Sequence, residues 1–140
     1  SVRKCIESGM PCIAECGGFM YLGRCIDGKN MTGLLDVESS NTGHLVRFGY
    51  VTVTADRDTL LLKKGQSIKA HEFHYYDSTD NGADCIATKP ATGRSYDCVI
   101  SHDNYWLGFP HLYYPSNPHF AESFVRKAYE YRRNKNGKLL

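Results

Sequence analysis

Cys16 stands at a break in the chain that suits a nucleophile. The run Met10-Pro11-Cys12-Ile13-Ala14-Glu15 is short and largely apolar, Gly17-Gly18 interrupts it, and Phe19, Met20 and Leu22 resume at helical spacing. That order reads as a buried parallel strand ending in a sharp turn that feeds a helix. A cysteine at such a turn projects from the top of the sheet. The positive end of the following helix is expected to lower its thiol pKa and favour thiolate. Gly17 would present its N–H to a substrate carbonyl, as in nucleophile elbows. Those elbows carry glycine two residues either side of the nucleophile; here the positions hold Ala14 and Gly18, both small. The alternative is a buried thiol beside a glycine pair that permits tight packing.

A nucleophilic thiol needs a base that also protonates the leaving amine. His111, in Gly108-Phe109-Pro110-His111-Leu112-Tyr113-Tyr114, is the best candidate. Two residues on stands Tyr113, not a carboxylate, so no local Cys-His-Glu set exists. Either Cys16 and His111 act as a dyad, or another group orients the ring. A third constellation is His71-Glu72-Phe73-His74. A helical metal-binding His-Glu-x-x-His spaces its histidines one residue further apart, and the context here is strand-like. On a strand, His71 and Phe73 share one face and Glu72 and His74 the other. A Glu72–His74 pair in a cleft could bind a polar substrate or orient a base; a surface pair is the other reading. His44, His102 and His119 read as surface or packing residues.

The elements that must hold these groups follow in order. Residues 2–8 read as a helix closed by Gly9, residues 10–15 as a buried strand, and residues 17–25 as a helix ending before Asp27-Gly28-Lys29-Asn30. Residues 31–37 read as irregular. Residues 48–54 alternate and are β-branched, which predicts a strand. Leu60 to Leu62 suggest a short strand, residues 67–76 a long one, residues 77–84 a polar turn, and residues 85–89 with 96–101 a hairpin. Residues 108–114 read as a strand near a cleft. Asn117 and Pro118 supply a cap and first-turn proline for a closing helix with Phe120, Phe124, Ala128 and Tyr131 on one face. Residues 132–140 read as a basic, fraying tail. The whole implies an α/β sheet with an inserted or adjoining β layer. Chemistry in such sheets lies at the carboxyl ends of strands, where Cys16 and His111 fall.

Composition excludes several classes. The chain has 140 residues, enough for one domain with a core. With 17 basic and 15 acidic residues, nothing calls for nucleic acid or an anionic membrane. No apolar run nears the roughly 20 residues of a spanning helix. The 6 cysteines form no Cys-x-x-Cys pair, which argues for reduced thiols in a cytoplasmic protein rather than zinc or disulfides. Ser1 is not a natural start, so a piece of a longer protein is expected.

Three segments together resemble a known family. Ala14-Glu15-Cys16-Gly17-Gly18-Phe19-Met20-Tyr21-Leu22 is similar to the nucleophile segment of cobyrinic acid a,c-diamide synthases. Lys69-Ala70-His71-Glu72-Phe73-His74-Tyr75-Tyr76 resembles their Gly-His-Glu-Phe-His-Tyr-Ser segment, preceded by a matching Gly49-Tyr50. The run from Gly108 to Pro118 resembles their closing histidine segment.

The resemblance implies the C-terminal part of a class I glutamine amidotransferase-like domain over residues 1–140, flavodoxin-like and lacking its N-terminal strands. It implies glutamine as substrate, Cys16 as the nucleophile forming a glutamyl thioester, His111 as general acid and base, and Gly17 as one oxyanion donor. His71, Glu72 and His74 would line the glutamine pocket. No metal or cofactor is implied for this piece. ATP and magnesium belong to an N-terminal synthetase domain, through which a corrinoid, cobyrinic acid, would be amidated in cobalamin biosynthesis. A homodimer is compatible with the family. Departures are Tyr113 where a second histidine is usual, Pro110 for an aliphatic residue, and Ala70 for glycine. The family's second oxyanion donor lies on a glycine-rich loop upstream, so this piece alone is expected to be a weak glutaminase, by about a hundred- to a thousand-fold. Related amidotransferases acting on cobyric acid, a nickel tetrapyrrole or a cell-wall lipid share these features, and an inactive scaffold module would share the fold.

Overall fold

The computed structural model describes residues 1–137 as a mixed α/β arrangement. Helix α1 (Val2–Glu7) leads into strand β1 (Cys12–Glu15), which turns directly into helix α2 (Gly17–Leu22). Short strands β2 (Cys25–Ile26), β3 (Lys29–Asn30) and β4 (Glu38–Asn41) follow. Then come β5 (Arg47–Ala55), β6 (Ser67–His74), β7 (Tyr76–Ser78), β8 (Cys85–Thr88) and β9 (Ser95–Cys98). Strands β10 (Ile100–His102), β11 (Tyr105–Gly108) and β12 (His111–Leu112) precede the closing helix α3 (Pro118–Gly137).

Among the described residues the strands form three sheets, ordered β1-β11-β10, β12-β6-β5-β8-β9 and β3-β2-β4-β7. β1 runs parallel to β11, with Ala14 opposite Leu107 and Glu15 opposite Gly108. The long antiparallel β5–β6 pair is the largest ladder, and β12 extends its edge with His111 opposite His71. This is the adjoining β layer expected from the alternating middle of the sequence. Strand β6 shows why that alternation was readable: Ile68, Ala70, Glu72 and His74 are buried, and the residues between them are not.

Strand β11 is a wall between two cores. Its successive residues point to opposite faces, so Trp106 joins Val51, Val53, Leu62, Ile68 and Phe120 on one side. Leu107 joins Ile6, Phe19, Leu22 and Phe109 on the other. Its partner β1 divides the same way: Ile13 packs on the first core and Cys12 and Ala14 on the second. Full burial of one such large side chain contributes about 1.5–3 kcal/mol. The Trp106 and Phe120 rings meet edge to face at 5.5 Å, which fixes α3 against the wall.

Several elements differ from the reading of the sequence. Leu60 to Leu62 do not form a strand. Thr59 Oγ1 accepts from the backbone N–H of Leu62 at 2.9 Å, so the segment is a turn whose Leu61 and Leu62 side chains are driven into the core. Helix α2 stops at Leu22, because the chain re-enters a sheet at Cys25. Strand β11, Tyr105–Gly108, is a separate element before the histidine, and β12 is confined to His111–Leu112. Helix α3 continues through residues expected to fray, as far as Gly137; the end of the expected tail, residues 138–140, lies outside the described residues.

Candidate active site

The turn at Cys16 is built by packing on both sides of it. Cys16 has φ +48° and ψ −107°, a conformation side-chain-bearing residues rarely adopt. Its N–H donates to the Gly108 carbonyl at 2.8 Å, continuing the β1–β11 ladder, and its own carbonyl accepts from Met20 N–H at 3.0 Å, opening α2. One residue thus ends a strand and starts a helix. Gly18 makes the sharp return possible, since a Cβ there would lie 3.3 Å from the Ala14 Cβ. The small residues two before and two after the cysteine are therefore the contact between strand and helix. Gly17 faces open space, with nothing within 4 Å of the position a Cβ would take.

The thiol is less acidic than the sequence led us to expect. Burial pushes the Cys16 pKa up, the Gly17 N–H hydrogen bond pulls it down, and the charges of Glu72 and Glu15 push it up further. α2 has only 6 residues, and its end does not offset burial beside two carboxylates. The Gly17 N–H is directed at the sulfur.

His111 reaches this region by a change of sheet. The chain leaves β11 at Gly108, turns through buried Phe109 and Pro110, and joins the edge of β6 as β12. Pro110 lies between the two ladders, where its missing N–H removes no strand bond. The His111 side chain is half-exposed, and its Nδ1 lies 3.7 Å from Glu15 Oε2. Glu15 is the residue directly before Cys16, so this contact brings the histidine segment onto the Cys16 turn. Tyr114 donates its hydroxyl to the other oxygen, Glu15 Oε1, at 2.7 Å. Burial, then that bond to Glu15, raises the Tyr114 phenol pKa and keeps it a donor. Tyr113 is exposed and plays no part in this contact; its N–H donates to the Lys69 carbonyl.

The His71-Glu72-Phe73-His74 segment is divided by the strand that carries it. His71 is on the face shared with His111, its register partner, and with Tyr50 and Phe48, whose rings meet it edge-on at 5.2 and 5.9 Å. Glu72 and His74 lie on the opposite face and are buried, 2% and 6% exposed. His74 Nδ1–H donates to the Tyr76 carbonyl at 2.8 Å, and Nε2 lies 3.3 Å from Glu72 Oε1. Tyr96 donates its hydroxyl to Glu72 Oε2. Both carboxylate oxygens are thus committed within the protein. The network supports the turn through Phe109, which stacks on His74 at 4.1 Å and meets Phe19 of α2 edge-on at 5.3 Å. The sequence alone does not single out Glu15, Tyr114 or Tyr96 as site residues. The one signal for Glu15 was a carboxylate beside the cysteine; Tyr114 and Tyr96 had none.

No helix among the described residues is long and apolar enough to cross a membrane. No group of three or more His, Cys, Asp or Glu among them is placed to hold a metal ion.

The chain is 38% identical over 118 residues to the cobyrinate a,c-diamide synthase of Caldanaerobacter subterraneus subsp. tengcongensis, covering 79% of this chain and 26% of the relative. It is 38% identical over 132 residues to the cobyrinate a,c-diamide synthase of Picrophilus torridus, covering 91% of this chain and 28% of the relative. The synthase of Methanothermobacter thermautotrophicus is 32% identical over 139 residues, 94% of this chain and 31% of the relative. The chain therefore spans about a quarter to a third of the length of these relatives. A family match over residues 1–118 takes in the Cys16 turn, the β6 network and His111 together, and on that ground the chain belongs to the CobB/CobQ-like glutamine amidotransferase domain family.

Proposed function

We propose that this chain carries the glutamine-hydrolysing site of an ATP-dependent cobyrinate a,c-diamide synthase. The observation that supports it most is the strained turn at Cys16, held by Gly108 and Gly18, with His111 brought to its flank through Glu15. Its relatives are named for the a,c-diamide synthase, and its family for glutamine amidotransfer.

The chemistry follows from the groups present. Cys16 Sγ gives up its proton to His111 and attacks the side-chain carboxamide carbon of glutamine. The carbonyl oxygen takes the displaced electron pair and is met by the Gly17 N–H. The C–N bond then breaks, His111 returns the proton to the leaving nitrogen, and ammonia departs. A γ-glutamyl thioester remains on Cys16. His111 next takes a proton from water as it attacks the thioester, and collapse releases glutamate and restores the thiol. The raised thiol pKa suits this order, because the proton moves to His111 as the bond to carbon forms instead of leaving beforehand. The ammonia would amidate the a and c carboxylates of a corrinoid activated with ATP and magnesium by the remainder of the synthase. His71, on the His111 face, is the member of the β6 segment best placed to meet substrate, while Glu72 and His74 hold the turn from beneath.

6-Diazo-5-oxonorleucine, an electrophilic mimic of glutamine, tests this reading. It should label Cys16 selectively over the other five cysteines, by peptide mapping, and excess glutamine should protect. Labelling that follows thiol exposure alone, with Cys5 ahead of Cys16, contradicts it.

A further inference from the structure

The carboxylate that a Cys-His pair ordinarily needs is missing two residues after His111, where Tyr113 stands. A carboxylate does face the ring, however, from the other side of the site. Glu15 shares a face of β1 with Ile13, above the core that holds Leu112 and Phe120. Its Oε2 lies 3.7 Å from His111 Nδ1, within ion-pair range, so the carboxylate favours a proton on Nδ1 of the neutral ring, and a small side-chain rotation closes the contact to a hydrogen bond, as catalytic contacts tighten when substrate binds.

The carboxylate is held, not free. Tyr114 Oη donates to Oε1 at 2.7 Å, and the Tyr114 ring packs on Phe120 at 5.5 Å, itself fully buried at the start of α3. A line of contact therefore runs from the core through Phe120 and Tyr114 to Glu15 and on to His111. Glu15 is only about one-fifth exposed, so its attraction for the ring is less screened than that of a surface pair.

We propose that Glu15 is the positioning residue for His111: Oε2 accepts from Nδ1–H, which leaves Nε2 as the nitrogen that exchanges protons with Cys16 and the leaving group, while Tyr114 fixes the carboxylate through Oε1. The acid thus comes from the residue directly before the nucleophile instead of from the histidine strand. The inference rests on the glutaminase reading for its catalytic consequence, but not for the Glu15–His111 contact itself.

Two measurements on the 140-residue chain test it. The first is the ring-nitrogen NMR spectrum of neutral His111, assigned with His111→Asn. The native ring should carry its proton on Nδ1, and Glu15→Ala should move the majority to Nε2. A native ring protonated on Nε2, or one unmoved by the substitution, overturns the proposal. The second is the rate of Cys16 labelling by 6-diazo-5-oxonorleucine. Glu15→Gln should lower the maximal rate by about tenfold or more with the half-saturating concentration unchanged, Glu15→Asp should recover part of it, and Tyr114→Phe should cause a smaller fall. A native maximal rate in Glu15→Gln overturns the positioning role. If the native chain is not labelled at Cys16, the glutaminase reading fails, and the ring-nitrogen spectrum still decides the Glu15–His111 contact.

Discussion

Gly18 rests directly over Ala14, so closely that a Cβ on the glycine would stand 3.3 Å from the alanine Cβ. The positive φ of Cys16 is the backbone consequence of that closeness, because α2 can fold back over β1 only if the turn between them is one residue long. Gly18→Val should therefore cost about 1–3 kcal/mol, as overpacking does, and should slow labelling of Cys16 more than that loss explains. Chemical denaturation and site-resolved labelling of the same variant check the two parts. Unchanged stability would show that α2 can shift away from β1 freely.

The pH dependence of Cys16 alkylation has a definite sign. Burial raises the thiol pKa, so at neutral pH less thiolate is present than in a short cysteine peptide, and the rate should climb to a midpoint above the peptide's. Glu15 contributes to the rise, so Glu15→Gln should move the midpoint down, toward the peptide. Iodoacetamide rates for Cys16, resolved by mass spectrometry, measure this. A native midpoint at or below the peptide's would contradict the burial account.

Glu72 and Tyr96 should differ in their effect on stability. Glu72→Ala removes one partner of a buried pair and leaves His74 facing an empty site, which typically costs about 3–5 kcal/mol. Tyr96→Phe withdraws one donor from a carboxylate that keeps His74, and should cost about 1–3 kcal/mol. Urea unfolding of both variants gives the order. A larger loss in Tyr96→Phe would mean that the tyrosine, not the histidine, compensates the buried carboxylate.

Gly82 supports the other change of sheet. It has φ +81°, and a Cβ there would meet the Val99 carbonyl carbon and oxygen at 2.2 Å. Val99, itself at φ +70° and fully buried, lies between β9 and β10, where the chain passes from one sheet to the next. Gly82→Ala should destabilise by more than about 1 kcal/mol, visible as a lower thermal midpoint, whereas Gly93→Ala, at a hairpin turn with open space around it, should lose less. Equal losses would show that backbone strain alone, and not the contact with Val99, sets the cost.

The parts of this architecture that could be read in the sequence are those fixed by neighbours in the chain. The strand, turn and helix around Cys16 follow from local apolarity and two glycines, and β5 and β6 from alternation. Strand β4 is polar, and its strand character comes from pairing with β2 and with β7, which lies far along the chain. Leu60 to Leu62 look like a strand because their apolar side chains are needed in the core, while Thr59 closes their backbone as a turn. In the site, Cys16 and His111 were evident by residue type. The contact of His111 with Glu15 was not, because it depends on the chain crossing from β11 to β12 at Pro110. The same holds for the acidity of Cys16: a helix end is visible in the sequence, but the burial and the Glu72 charge beside the sulfur are not.

The central claim is that Cys16 forms a covalent bond with the side-chain carbonyl of glutamine. Incubating the chain with isotope-labelled glutamine, quenching in acid and mapping the peptides by mass spectrometry tests it most directly. The account predicts a γ-glutamyl thioester on the Cys16 peptide of the native chain and none in Cys16→Ser. No adduct on the native chain, or one carried by another cysteine and retained in Cys16→Ser, would contradict it.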